Sequence, residues 1–263
     1  MSQHSYNIYP TLLDAFQRYL DAEKTFEDYG NDDGQGGYKR TLEEISAELE
    51  QRLLDTINRT EREPAEAADK GTCFNALVDW LRGYPSAIPI EYRSDEIDGQ
   101  ACTYYEMSLN GFTFRFDWEM AENAARYYDG AIPQLRCSAS LATRYGDVWL
   151  YGYIDEICRD EVKDIKTTSR YQFGKYENYW QREVYPYCLI TSGKMDNVSA
   201  FEFSVFVWRD RVGMPTSATM YKEVYTYDYE RSTIKLRHIC ERFIEWLEAN
   251  RERITDNKIF GGE

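Results

Sequence analysis

The segment GYIDEICRDEVKDIKTTS, residues 152–169, contains two strand-like runs separated by a turn centred on residues 159–160. Antiparallel pairing about that turn would set Asp155 directly opposite Asp164, with Cβ atoms ~5 Å apart on one face of the sheet. Lys166, two residues beyond Asp164, points to the same face because side chains alternate along a strand. The segment therefore predicts a hairpin on which two carboxylates and one ammonium converge.

Such a cluster carries an electrostatic cost that indicates a ligand. Two neighbouring carboxylates repel each other, so the pKa of one should rise unless a cation lies between them. Mg²⁺ suits this position because it binds one or two carboxylates together with waters and phosphate oxygens. With the ammonium placed to orient or deprotonate a water, these groups favour metal-assisted phosphodiester hydrolysis.

The competing interpretation is a surface hairpin whose carboxylates face water. Carboxylate-x-Lys triplets occur often by chance, and two more are present at 161–163 and 256–258. In the same register, however, Lys163 faces away from Asp155 and lies opposite Glu156, where a structural ion pair suffices.

Outward from the hairpin, the period of the apolar residues predicts the remaining elements. Helices are expected at about 11–29, 40–60, 71–82, 117–128, 175–191 and 230–252, with a Gly/Asp-rich loop at 30–37. Strands are expected at 103–107, 112–116, 135–145, 147–157, 161–168, 200–209 and 218–227. This order predicts one mixed α/β domain over 1–263, with a helical part at 1–82 and a sheet core with the C-terminal helix at 83–263.

Composition limits the class of protein and its partners. The 263 residues are 43% hydrophobic, and no apolar run approaches the ~20 residues that span a bilayer. The N-terminus has neither a basic start nor an apolar signal core, so we expect a cytoplasmic protein without a membrane partner. The net charge of −15 argues against a nucleic-acid partner unless Lys and Arg cluster on one face or a divalent cation reverses the local field.

The six cysteines, at positions 73, 102, 137, 158, 188 and 240, form no C-x-x-C pair. This spacing gives no local support to a zinc site or an iron–sulfur cluster. We expect buried, reduced thiols.

Five motifs occur along the chain in an order typical of one nuclease family. They are YPTLLDAF (9–16), like an S-x-L-x-x-F helix start; GTCFNALVD (71–79), like G-T-x-x-H-x-x-x-E; GYID (152–155), like G-x-I-D; DIKT (164–167), like D-Y-K-T; and QREVY (181–185), which matches Q-x-x-x-Y. Together they resemble the RecB-type branch of the PD-(D/E)XK nucleases, which includes exonuclease domains of helicase–nuclease complexes and phage exonucleases.

The resemblance implies an α/β, restriction-endonuclease-like core: a central mixed sheet flanked by helices, with a helical N-terminal third. It implies Mg²⁺ or Mn²⁺ held by Asp155 and Asp164 together with the backbone carbonyl of Ile165, and Lys166 serving the attacking water. Asp79 would be an outer metal ligand or would hold a metal-bound water. No iron–sulfur cluster is expected.

Four further residues are implied as substrate-binding or site-bracing: Asn75, Thr167, Gln181 and Tyr185. Gln181 and Tyr185 lie one helical turn apart on a single face. The alternatives are an ordinary polar helix face for Asn75 and Asp79, and a helix that simply packs on the sheet for Gln181 and Tyr185. The sequence also departs from the family, since Asn75 replaces its usual His and Asp79 its usual Glu.

We therefore expect a metal-dependent deoxyribonuclease, an exonuclease of recombination or repair that acts on single- or double-stranded DNA ends. One alternative is a binding module of the same fold that holds nucleic acid or protein without cutting. Another is an acidic protein that imitates nucleic acid. The sequence leaves open whether the chain forms a homo-oligomer or binds a recombination partner protein.

Overall fold

A computed structural model describes residues 6–30, 37, 39–61, 63–97 and 99–261. In chain order its strands and α-helices are β1 (Tyr6–Ile8), α1 (Pro10–Leu20), α2 (Ala22–Tyr29), α3 (Leu42–Ile57), α4 (Glu66–Leu81), β2 (Ile90–Ile97), β3 (Gln100–Leu109), β4 (Phe112–Asp117), α5 (Trp118–Tyr127), β5 (Ile132–Thr143), β6 (Gly146–Cys158), β7 (Glu161–Thr168), α6 (Gln181–Thr191), β8 (Ala200–Arg209), β9 (Ser217–Thr226) and α7 (Tyr229–Ala249).

A six-stranded mixed sheet forms the centre of the fold. Its order is β1-β6-β7-β8-β9, and β5 pairs with the other edge of β6. The β1–β6 and β7–β8 pairs are parallel, whereas β5–β6, β6–β7 and β8–β9 are antiparallel. Because helices flank this mixed sheet, the predicted α/β class is confirmed.

A second, three-stranded antiparallel sheet, β2-β3-β4, was not predicted as a separate sheet. The sequence pattern missed β2 altogether because its side chains are almost all exposed and polar, which leaves no alternation to detect. Backbone hydrogen bonds join the two sheets near β4: Asp117 N–H donates to Thr216 O at 2.9 Å, and Thr216 N–H donates to Arg115 O at 2.7 Å.

The apolar side chains form two clusters. The larger one packs α1, α3, α6 and α7 against the central sheet and includes Phe16, Leu53, Val184 and Phe243. The smaller one joins α4 and α5 to the second sheet and to β7 and β8, reaching Ile165 and Phe206. Strand β7 thus lies between two hydrophobic layers. The single-domain assignment of 1–263 stays a prediction.

Three predicted helix boundaries were wrong. The helix expected at 11–29 is two helices, interrupted at Asp21, whose φ of −93° and ψ of 25° break the helical path. Helix α4 begins at Glu66, before the predicted 71. Helix α6 begins at Gln181 rather than 175, because the preceding turn packs Tyr176 and Tyr179 against Phe203 of β8, at ring distances of 5.6 and 6.2 Å.

Two further expectations concern single residues. The loop predicted at 30–37 lies outside the described residues except for Gly30 and Gly37. Four cysteines are buried and two are partly exposed, so the predicted burial holds for Cys73, Cys137, Cys188 and Cys240 but not for Cys102 and Cys158. None of the helices in the described part of the chain combines the length and apolar character that crossing a bilayer requires.

Candidate active site

One edge of β6 is divided between two strands. Strand β1 pairs with residues 148–150, and β7 pairs with residues 156–158, where Glu156 lies opposite Lys163 as the sequence predicted. Asp155 lies one residue beyond the Glu156–Lys163 pair, on the side toward β1. Its Oδ2 accepts a hydrogen bond from the Ile165 N–H at 2.8 Å. A carboxylate, rather than a backbone carbonyl, therefore bridges β6 and β7 where their regular pairing ends.

Beside the point where the β6–β7 pairing ends, three side chains contact one another: Asp164, Lys166 and Gln181. Lys166 Nζ lies 2.6 Å from Asp164 Oδ2 and donates to Gln181 Oε1 at 2.6 Å. Gln181 Nε2 in turn donates to Asp164 Oδ1 at 2.7 Å. Asp164 is only 2% exposed, so the first residue of helix α6 fixes both a buried carboxylate and its cation.

The two carboxylates are difficult to ionise together. Burial, followed by repulsion from Asp164, raises the pKa of Asp155 from 3.8 to about 7, although the Ile165 N–H and Lys166 oppose the rise. Burial also raises the pKa of Asp164, against the lowering effect of Lys166. Burial of the ammonium lowers the pKa of Lys166, but the attraction and hydrogen bond to Asp164, together with attraction to Asp155, raise it above its ordinary value. Two buried carboxylates thus share one ammonium, which favours retention of a proton at the site.

Helix α6 braces the site from one side. Tyr185 is buried, and a Cβ added at Gly152 would lie 2.6 Å from its ring carbon Cε1. Gln181 Nε2 lies 3.5 Å from Tyr185 Oη. The glycine of the GYID motif is therefore required for the close approach of α6 to β6.

Helix α4 approaches from the other side through Gly71, Asn75 and Asp79. A Cβ at Gly71 would lie 2.7 Å from Thr167 Oγ1, so the helix packs directly on the end of β7. Asn75 Oδ1 is buried without a hydrogen-bond partner among the described residues. Asp79 is close enough to add repulsion that raises the pKa of Asp155.

Asp79 also belongs to a second buried group of charges. Its Oδ1 lies 3.7 Å from Arg82, which forms a closer ion pair with Glu156. Burial raises the pKa of Asp79, and that of Glu156 to about 8. Gln134, which reaches Asp79 Oδ2 at 3.4 Å, has φ of 51°, an uncommon conformation for a non-glycine residue. The predicted outer ligand is thus held by Arg82 and Gln134.

The predicted ion pair between Lys163 and Glu156 was wrong, although the two residues lie opposite each other. Lys163 Nζ instead lies 3.2 Å from Glu202 and 3.2 Å from Glu161. It also donates to the Tyr127 hydroxyl at 2.9 Å. Glu156 takes Arg82 as its partner because that guanidinium is buried beside it.

Sequence reasoning missed Asp14 and Tyr179. Asp14 of α1 is 6% exposed, and its Oδ1 accepts the Trp180 N–H at 2.8 Å, just before α6. Burial raises the pKa of Asp14 to about 6. The Lys166 ammonium lies 5.5 Å from the centroid of the Tyr179 ring, within cation–π range. An acidic residue within the apolar stretch Leu12–Phe16 was the signal available in the sequence.

The donor set suits one hard divalent cation better than a closed protein cage. No group of three or more His, Cys, Asp or Glu side chains that could hold a metal occurs in the described ranges. Two carboxylates, however, are what Mg²⁺ commonly takes from a protein, with water and phosphate completing its shell. Such an ion would relieve the repulsion that raises the pKa of Asp155 beside Asp164, and Asn75 Oδ1, which has no partner among the described residues, is a further oxygen nearby on α4. The carbonyl of Ile165 would be its backbone ligand.

Comparison with known proteins adds little. No protein-family model matches this chain, and no curated protein matches it either. Among solved structures, the chain is similar to one described as the crystal structure of SSO0001, with 11% identity over 94% of this chain and 79% of that one. The TM-score of 0.42 is too low to support an argument about fold or function.

Proposed function

We propose that this chain is a cytoplasmic, Mg²⁺- or Mn²⁺-dependent deoxyribonuclease, an exonuclease of recombination or repair. The observation that carries the proposal is the convergence of Asp155, Asp164 and Lys166 where the β6–β7 pairing ends. A divalent ion would supply charge neutralisation and activation of water in the hydrolysis of a phosphodiester. Asp155, Asp164 and the Ile165 carbonyl would hold it.

The roles of the other residues follow from their contacts. Lys166 is held by Asp164 and Gln181, so its ammonium is oriented before substrate binds. Lys166 would orient the attacking water or a phosphate oxygen. Gln181, which contacts both Asp164 and Lys166, would keep the two groups in place, and Tyr185 would brace the helix that carries Gln181.

The test is a cleavage assay on single- and double-stranded DNA with Mg²⁺, Mn²⁺ or EDTA. Wild type should cut only with the cation, and Lys166→Ala should lose ~100-fold or more of the rate, as expected for a general acid–base group. Lys222→Ala is a matched control, because Lys222 is an exposed lysine on β9, outside the site. No cleavage by wild type under any of these conditions would refute the enzymatic function.

A second candidate is a binding module that holds nucleic acid or protein without cutting. The engagement of Asp79 by Arg82 and Gln134 favours it, since a carboxylate so held is less available to a metal. Metal-dependent melting separates the two functions. Binding to the folded state raises the melting temperature, so Mn²⁺ should stabilise wild type but not Asp164→Asn if the metal site forms. The binding module predicts no stabilisation of either protein.

A further inference from the structure

A cleft of about 630 Å³ lies between α1 and α3. Arg18, Arg52 and Arg59 line it, with one carboxylate, Asp55, among its lining residues. Arg52 and Arg59 are 69% and 50% exposed. Arg18 lies on α1 and the other two arginines lie on the α3 side, so arginines line both walls of the cleft.

The cleft continues onto β6 through aromatic side chains. Tyr9, which lines the cleft, packs on Tyr151 with ring centroids 5.6 Å apart. Tyr153 follows on the same face of the strand and is 58% exposed. Asp155 lies two residues further along β6. Tyrosines at alternate positions therefore lead from the arginine-lined cleft to the candidate active site.

Arg136 extends the positive charge along this path. It lies directly opposite Tyr153 in the β5–β6 register and is exposed. No carboxylate of the described residues lies within ion-pairing distance of Arg136 or Arg18, whereas Arg52 pairs with Glu48 and Arg59 with Asp256. Two of the four arginines thus form no ion pair with a carboxylate in the described part of the chain.

Arg18 connects the cleft to the site from the other side. Its guanidinium lies 3.5 Å from the Tyr179 hydroxyl and 5.8 Å from the ring centroid. The Lys166 ammonium lies 5.5 Å from that same centroid. One tyrosine ring therefore separates the cleft from the proposed catalytic lysine.

We propose that these six residues form a binding path for single-stranded nucleic acid, here called the basic track: Arg18, Arg52, Arg59, Arg136, Tyr151 and Tyr153. The arginines bind phosphates, and the exposed ring of Tyr153 stacks on a base. Aromatic stacking of this kind requires an unpaired base, which selects a single strand over a duplex. The inference rests on the proposed function, because the path is taken to end at Asp155, but it concerns binding rather than cleavage.

The experiment measures binding of a fluorescein-labelled (dT)15 oligonucleotide by anisotropy in EDTA, so that neither metal nor cleavage contributes. Tyr153→Ala should weaken binding about tenfold, the lower part of the range for loss of one stacked base. Arg136→Gln should reduce the slope of log K against log salt concentration by ~0.7, the value for one lost phosphate contact on a single strand. Arg126→Gln is the matched control, an exposed arginine on α5 outside the track.

The results separate this inference from the proposed function. Weaker binding by Tyr153→Ala and Arg136→Gln, with Arg126→Gln unchanged and both variants melting like wild type, supports the basic track even if no cleavage occurs. The basic track is refuted if wild type does not bind (dT)15, if it binds a 15-base-pair duplex more tightly, or if the control loses as much affinity as the track variants. Cleavage that survives such a result would leave the nuclease proposal standing with another substrate path.

Discussion

Replacing Asp155 with Asn should stabilise the protein at alkaline pH, because it removes a carboxylate that is costly to ionise in the folded state. The amide oxygen can still accept the hydrogen bond that the Ile165 N–H donates to Asp155 Oδ2. The amide carries no charge to repel Asp164. The variant thus keeps the geometry of the site and loses its electrostatic cost.

The magnitude follows from the pKa of Asp155, which rises from 3.8 to about 7 on folding. The folded state therefore binds its proton more tightly than the unfolded state, so wild-type stability falls as pH increases between these two values. At ~1.36 kcal/mol per pH unit, the cost reaches about 4 kcal/mol above pH 7. Between pH 5 and pH 8, wild type should lose about 3 kcal/mol from this group, and Asp155→Asn should lose none of it.

Urea unfolding at pH 5 and pH 8 in EDTA, followed by circular dichroism, measures the difference. Asp155→Asn should exceed wild type in free energy of unfolding by about 3 kcal/mol more at pH 8 than at pH 5. Asp160→Asn, in the exposed turn between β6 and β7, controls for a general effect of removing an acid. A variant that gains equally at both pH values, or that is destabilised at pH 8, would contradict the electrostatic account.

Three more predictions concern the supports of the site, each measured by urea unfolding. Gly152→Ala should cost about 1–3 kcal/mol, since its Cβ would lie 2.6 Å from Tyr185; an unchanged midpoint would mean that α6 shifts freely. Arg82→Met should cost about 3–5 kcal/mol at a pH above about 8, the pKa of Glu156 beside Arg82, because it leaves that carboxylate buried without its cation; equal stability there would show that Glu156 stays neutral. Asp14→Ala should cost about 0.5–2 kcal/mol through loss of the acceptor at the start of α6, whereas Asp14→Asn, which keeps an acceptor, should cost less.

The local parts of the fold were predictable from the sequence. The hairpin register about residues 159–160 and the strands on either side of it follow from alternation and turn residues, which act over short distances. Helix α3 likewise follows from the period of its apolar residues, and the structure adds a capping box, in which Thr41 and Glu44 bond reciprocally. Where pattern and local chemistry agree, the prediction held.

Long-range pairing was not predictable in the same way. Strand β1 has three residues, too few for a periodic signal, yet it occupies the part of the β6 edge that β7 does not. Asp14 lies 166 residues from the backbone group it binds. The exchange of ion-pair partners by Lys163 and Glu156 depends on Arg82, which arrives from α4. These features depend on tertiary packing, which overrides local preference.

The pairing of β1 with β6 also has a kinetic consequence. Tyr6 pairs with Val148 and Ile8 with Leu150, so two segments about 140 residues apart in the sequence must meet before this edge of the sheet is complete. Contacts of such high sequence separation slow folding, because loop closure must precede any gain from pairing. The β6–β7 hairpin can form early by itself. The edge of β6 on which Asp155 lies is complete only when strand β1 pairs with it.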